Sequence, residues 1–344
     1  MPKRVTLADI ARRTGLSTAA VSMALHNAPD SRIPDATVRR VRHAADELGY
    51  VVDVNARSLR TGCTGVMGFI SDQVTLTRFA SAMLRGILDV AEEHNQTVMI
   101  IETDRDPQRY ERGVTTLRSR RVDSLIMGLM TSRHITLPLG NWHVPAIVAN
   151  GTANGISSVL PLEYQAGQDV VHHLVYRGHR RIAMIGHHST PPAPEVSATI
   201  GMRMHGIDDA MSEAGLTFVS RFDGRVWEPE LGHRGVDHVL EAKPTAIIAA
   251  NDRIAFGIYE RLRQRGLSIP QDVSVISFDD EELAALMHPG LTTMRLPYFE
   301  MGQAAATQVL GLSAGGMLPT AVTTAEGIGL PLTGVWRESV ADLH

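Results

Sequence analysis

Apolar positions along this chain follow two rhythms. Through the first sixty residues they recur every three or four places: Leu7, Ile10 and Ala11, then Val21 and Leu25, then Val38, Val41, Ala45 and Leu48. A period near 3.6 marks amphipathic helices. Thr6 with Asp9 three places on reads as a shortened capping box, Gly15 as a turn, and Ser17 as the cap of the second helix. The third helix is expected over 35–48, entered at Pro34 and ended by Gly49. Two short helices around a tight turn, with Ala11 small enough for a close crossing, fit a helix-turn-helix. A generic helical packing unit is the plainer alternative.

From Val66 onward short apolar runs alternate with helical stretches. Strands are expected at 66–70, 97–101, 124–127, 146–148, 182–185, 246–249 and 273–276. Helices are expected near 79–94, 107–120, 163–177, 201–215, 252–265 and 298–311. Such alternation builds parallel sheets with helices on both faces, and the length suits two doubly wound sheets. Ligands of these sheets bind beyond the carboxyl ends of the strands.

Charge sharpens the division. The whole chain of 344 residues has a net charge of −4, which by itself argues against nucleic acid. Residues 1–62 nevertheless carry ten Lys/Arg against six Asp/Glu, a net of +4, and the remainder a net of −8. A basic head on an acidic body fits a phosphate-attracting module joined to one that is not. Arg39, Arg40 and Arg42 lie toward the outer side of the third helix, as phosphate contacts or simply a solvated face. No apolar run reaches a membrane span. The start Met1-Pro2-Lys3-Arg4 has no signal-peptide core, so a cytoplasmic protein is expected. The single cysteine, Cys63, allows no internal disulfide and no zinc finger of the usual kind.

Residues 53–62 form a candidate hinge, with Asp53 able to cap one or two helical turns. It is shorter than the roughly 12–15 residues an isolated helix needs in water, so order against a partner is expected. Leu59 stands between arginines without an obvious core. It suits a wedge in the minor groove, or equally a linker leucine packed on the body.

Several stretches together resemble the LacI family of bacterial transcription repressors. In the head they are residues 6–11, Ser17 to Leu25, Ala44 to Tyr50 and Asn55 to Gly62. In the body they are Arg177 to Ala183, Ala250-Asn251-Asp252 with Ala255 and Gly257, Phe278-Asp279-Asp280, and Pro289 to Thr293. The match spans essentially 5–337. The resemblance implies an all-α DNA-binding head over 1–52, a hinge over 53–62 and a periplasmic-binding-protein-like core over 63–344. That core would have an N-subdomain (about 63–161 and 296–322) and a C-subdomain (about 163–292 and 325–340), with crossings near 161–163, 292–296 and 322–325. It implies DNA contacts from Thr6, Ser17, Thr18, Ala19, Ser22, Met23, His26, Asn55, Arg57, Ser58, Leu59 and Arg60. Thr18, Ala19 and Met23 would read bases and Leu59 would be the operator wedge. Met23 stands where many members have Arg or His, which removes a bidentate contact to guanine. His26 and Val52 depart from a frequent Asn and a common Pro.

The expected effector set is Phe79, Arg203, Trp227, Asn251, Asp279 and Tyr298. Asn251 and Asp279 follow strands, Arg203 opens a helix, and an arginine fork with Asp and Asn suits sugar hydroxyls or a carboxylate. Asp252 reads as a helix N-cap and Asp280 as a loop or cap residue. Leu296 falls where some sugar-responsive members carry a polar residue. Arg203→Ala is expected to abolish effector response and spare operator binding. Met83, Leu84, Ile87 and Leu88 read as core, a dimer face being the sharper alternative. The histidines His172-His173, His179 and His187-His188 show no tight ligand set, and His179 reads as structural. Neither a metal nor a cofactor is expected, and no catalytic set stands out. The reading is a cytoplasmic repressor that binds a palindromic double-stranded DNA operator and a small-molecule effector, a sugar favoured. It would act as a homodimer, with a tetramer open. The alternatives are a solute-binding protein, an enzyme on the same scaffold, or an activator or corepressor-dependent regulator.

Overall fold

The structure is a computed structural model that describes residues 5–25, 33–50, 58, 62–77, 80–190, 192–312 and 320–343. It divides into two compact units, residues 1–64 and 65–344. Among the described residues the head forms three helices: α1 (Leu7–Thr14), α2 (Thr18–Leu25) and α3 (Asp35–Leu48). The Asp9 carboxylate reaches back to the Thr6 N–H (2.9 Å) and hydroxyl (2.7 Å), which lowers its pKa. Ser17 Oγ accepts from the Ala20 N–H at 3.1 Å. Gly15 ends α1 at φ +72°, a conformation where a side chain would be strained. Ile10, Ala11, Val21, Ala24, Val41, Ala44 and Ala45 fill the space between the helices, the face the periodicity predicts.

The body holds two sheets. The first takes β1 (Val66–Asp72), β2 (Thr97–Glu102), β3 (Ser124–Ile135), β4 (Ala146–Ala153), β5 (Ser157–Pro161), β11 (Val322–Thr323) and β12 (Gly327–Leu330), in the order β11-β12-β5-β4-β3-β1-β2. The second takes β6 (Ile182–His187), β7 (Ser220–Asp223), β8 (Ala246–Ala249), β9 (Ser274–Asp279), β10 (Thr292–Arg295) and β13 (Thr333–Val335), in the order β13-β10-β9-β8-β6-β7. Pairing is parallel except at β11 and β13. Central strands such as β8 are buried on both faces, which is why they read as unbroken apolar runs. Around the sheets lie α4 (Ser81–Glu93), α5 (Pro107–Ser119), α6 (Glu163–Tyr176), α7 (Ile200–Glu213), α8 (Pro229–Leu240), α9 (Asp252–Gln264), α10 (Glu282–Leu286) and α11 (Tyr298–Val309). Met83 and Ile87 of α4 are core residues, whereas Leu88 is exposed.

The chain passes between the sheets at Leu162, at Leu296–Pro297 and at Pro331–Leu332. The third crossing corrects the expectation near 322–325, because β11 and β12 stay in the first sheet. Gly327 makes that possible. Its φ is +141°, and a Cβ there would lie 2.3 Å from the Ser158 carbonyl oxygen. A strand of four residues, two of them glycines, has no apolar run to announce it.

Candidate functional site

On the head, α2 turns Thr18, Ala19 and Met23 to solvent beside the exposed Ser17, with Ser22 half-buried. Val21 and Ala24 face the core. Thr6 is exposed but tied to Asp9. Ser58 is half-buried, and its carbonyl accepts from the Gly62 N–H at 2.8 Å. His26, Asn55, Arg57, Leu59 and Arg60 lie outside the described residues, as does Phe79 of the effector set.

In the body, a cavity of about 370 Å³ opens between the two sheets. Arg203, Trp227, Asn251, Asp279 and Tyr298 all line it, as does Leu296. The structure therefore brings together every described member of the expected effector set, but it changes what three neighbouring side chains do.

Arg203 does not hold an open fork. Its Nε and one terminal nitrogen each donate to the Glu163 carboxylate at 2.7 Å, and its other terminal nitrogen donates to the Ala250 carbonyl at 2.7 Å. Asp279 stands 3.7 Å away. Both Arg203 and Glu163 side chains are 3% exposed. The guanidinium lies 4.3 Å from the Phe278 ring centre and 5.9 Å from that of Trp227, between two apolar planes. The pairing depends on how closely α6 and α7 cross. A Cβ on Gly206 would sit 2.0 Å from the Tyr164 carbonyl oxygen, and one on Gly167 would sit 2.4 Å from that of Arg203. Glu163 was missed in the sequence, where an acid at a helix start reads simply as a complement to the helix dipole.

Asn251 takes the cap role expected of Asp252. Asn251 caps α9, its Oδ1 accepting from the Ile254 N–H at 3.0 Å, while it also borders the cavity. Asp252 is fully buried and is not the cap. It accepts from the Ser277 hydroxyl, from Thr293 Oγ1 (2.7 Å) and from the Glu281 N–H (2.7 Å), binding β9, β10 and the loop after β9 to α9. Burial pushes its pKa up to about 7, against the pull of those donors. Adjacent polar residues on one strand-to-helix turn look alike in sequence; which of them turns inward is decided by the hydroxyls waiting there.

Asp279 ends β9 at φ +112°, a backbone region that bulky residues seldom occupy and that recurs at ligand sites. Burial raises its pKa well above the usual carboxylate range, although Arg203 opposes this. Asp280 is held by Arg337 at 2.7 Å. Tyr298 is buried and donates to the Met130 carbonyl at 3.2 Å. The opposite wall adds residues the sequence did not single out, Met130, Thr131, Ser132 and Asn150 from the first sheet, while His188, one of the histidines without a ligand set, lies beside the Trp227 ring. Burial lowers the His188 pKa. At the rim Arg253 Nε donates to Glu228 at 2.8 Å. His179 is structural as expected, bonded to Thr245 and to the Ala341 carbonyl. Among the described residues no group of three His, Cys, Asp or Glu could hold a metal ion.

The family model for bacterial regulatory proteins of the lacI family matches residues 6–53, and that for a periplasmic binding protein-like domain matches 171–340. The ribose operon repressor of Escherichia coli (strain K12) is 31% identical over 307 residues, spanning 87% of this chain and 90% of the relative. The chain belongs to the LacI family. The sucrose operon repressor of Shigella flexneri is 31% identical over 325 residues, 90% of this chain and 95% of its own. The crystal structure of the lac repressor dimer bound to operator and an anti-inducer shares the fold, with a TM-score of 0.72 over 98% of this chain and 100% of that one at 23% identity. This LacI-family chain is a ligand-responsive, DNA-binding repressor. Among the described residues no helix is long and apolar enough to cross a membrane.

Proposed function

We propose that the effector is a neutral sugar and that it governs how two copies of the chain hold a palindromic operator. The observation that carries this reading is the Arg203–Glu163 pair. With its guanidinium already matched by a buried carboxylate, Arg203 offers no free positive charge to an anion. Around the pair stand the Trp227 ring and uncharged polar side chains such as Ser132, Asn150 and Asn251, which suit hydroxyls on a small apolar frame, with the exposed Arg225 also among the lining residues. The ribose and sucrose regulators among the relatives support a sugar.

In the head, Thr18, Ala19 and Met23 read base edges, while Thr6, Ser17, Ser22 and nearby arginines place α2 on phosphates. The hinge residues Asn55, Arg57, Ser58, Leu59 and Arg60 fold onto the duplex, with Leu59 as the wedge. Two heads related by a two-fold axis take two half-sites, so a homodimer is the acting unit, in the cytoplasm. A sugar that closes the cleft changes the hinge spacing, and linkage makes the effect reciprocal. The test is binding of the full chain to a palindromic duplex over a salt series, with and without D-ribose or sucrose. Steep salt dependence and a sugar-dependent midpoint are expected. Equal affinity for every duplex, insensitive to either sugar, refutes the proposal.

A further inference from the structure

One wall of the cleft carries a feature the family resemblance does not require. The strand β3 runs on past a register break after Gly128 to Ile135. The segment 192–199, which leads into α7, crosses to it from the other half of the body. Two main-chain hydrogen bonds clasp the two together. The His134 N–H donates to the Pro194 carbonyl at 2.7 Å, and the Ala198 N–H donates to the Ser132 carbonyl at 2.9 Å. The strap continues directly into α7, because Ser197 Oγ accepts from the Ile200 N–H at 3.1 Å and the Arg203 N–H donates to the Thr199 carbonyl.

Ser132 sits at the clasp and lines the cavity. It is 8% exposed, yet its hydroxyl has no hydrogen-bond partner among the described residues. Buried hydroxyls are nearly always satisfied, and an orphan beside a ligand cavity is explained by a partner that arrives with the ligand. A serine hydroxyl both donates and accepts without charge, so it matches another hydroxyl. Two of the charged side chains that line the cavity are already paired, Arg203 with Glu163 and Arg253 with Glu228.

We propose that Ser132 reads a hydroxyl of the bound sugar with its side chain while its carbonyl holds the strap 192–199, so that ligand occupancy tightens the clasp between the two halves of the body. This rests on the reading of the cleft as a sugar site. The test uses the full-length protein and its Ser132→Ala variant against a panel of pentoses, hexoses and disaccharides that includes D-ribose and sucrose. Titration calorimetry reads affinity, and hydrogen exchange reads the His134 and Ala198 amides. For the sugar that binds, Ser132→Ala is expected to weaken affinity about tenfold, equivalent to about 1.4 kcal/mol. The ligand-free melting temperature should not fall, since the removed hydroxyl had no partner. Saturating sugar should slow exchange at both amides in the wild type and not in the variant. Undiminished affinity in Ser132→Ala, or wild-type amides indifferent to a bound sugar, overturns the proposal while leaving the sugar site standing. A wild type that binds nothing in the panel overturns the sugar reading itself, and the role of Ser132 falls with it.

Discussion

Removing Arg203 should damage the body before it reports on effector binding. The variant Arg203→Met keeps much of the apolar stem and deletes the fork. Glu163, 3% exposed, then loses two 2.7 Å charge-assisted hydrogen bonds and its counter-charge at once. Stranding one member of a buried pair costs about 3–5 kcal/mol. Against a typical stability of roughly 5–15 kcal/mol this is a large fraction. Glu163→Gln is milder. It leaves Arg203 its bond to Ala250 and Asp279 at 3.7 Å, and we expect about 1–3 kcal/mol. The double variant removes both charges, and its loss should fall short of the sum by at least about 1 kcal/mol. Urea unfolding of the full chain, followed by tryptophan fluorescence and circular dichroism, supplies the four corners of the cycle. An Arg203→Met loss below about 1 kcal/mol, or losses that simply add, would refute the claim that the pair is a buried, mutually dependent unit. Arg203→Ala, expected to abolish effector response and spare operator binding, should therefore also lose stability, because the structure pairs Arg203 with Glu163.

Three other outcomes follow from particular contacts. Gly206→Ala pushes a methyl group onto the Tyr164 carbonyl 2.0 Å away; it should cost at least about 1–3 kcal/mol and weaken sugar binding by parting Arg203 from Glu163, and an unchanged melting temperature would count against it. Asp252 has its pKa pushed up to about 7 from an ordinary 3.8, so folding favours its protonated form. That contribution is complete below about pH 4 and is lost as pH rises through 7. Asp252→Asn removes the dependence, so its stability relative to the wild type should climb between pH 5 and 8, and parallel pH profiles would contradict the assignment. Leu59→Ala should weaken binding to a palindromic operator more than to random duplex in gel-shift titrations; equal losses on both would remove the wedge.

Much of this protein was legible without coordinates. The head was readable because its signals are local: a capping acid three residues from Thr6, glycines in the left-handed region at Gly15 and Gly49, and an apolar stripe that ends where α3 ends. The central strands β1 and β8 were readable because burial on both faces demands continuous apolar runs. The short strands β5, β7, β10, β11, β12 and β13 and the helix α8 were not assigned, and the third crossing was misplaced. Strands this short owe their identity to the neighbour they pair with, as Gly327 does to Ser158. The site divides along the same line. The sequence by itself determined which residue types stand at strand ends and helix starts, and so gathered Arg203, Trp227, Asn251, Asp279 and Tyr298 around one cleft. Only the tertiary structure decided that Glu163, forty positions from Arg203, fills its fork, that Asn251 caps α9 while Asp252 turns inward, and that the Ser132 hydroxyl has no partner among the described residues. Local propensity and periodicity specify which face of an element is buried; the partner met there depends on how closely two elements cross, and glycines such as Gly167 and Gly206 express that distance only when both helices are in place.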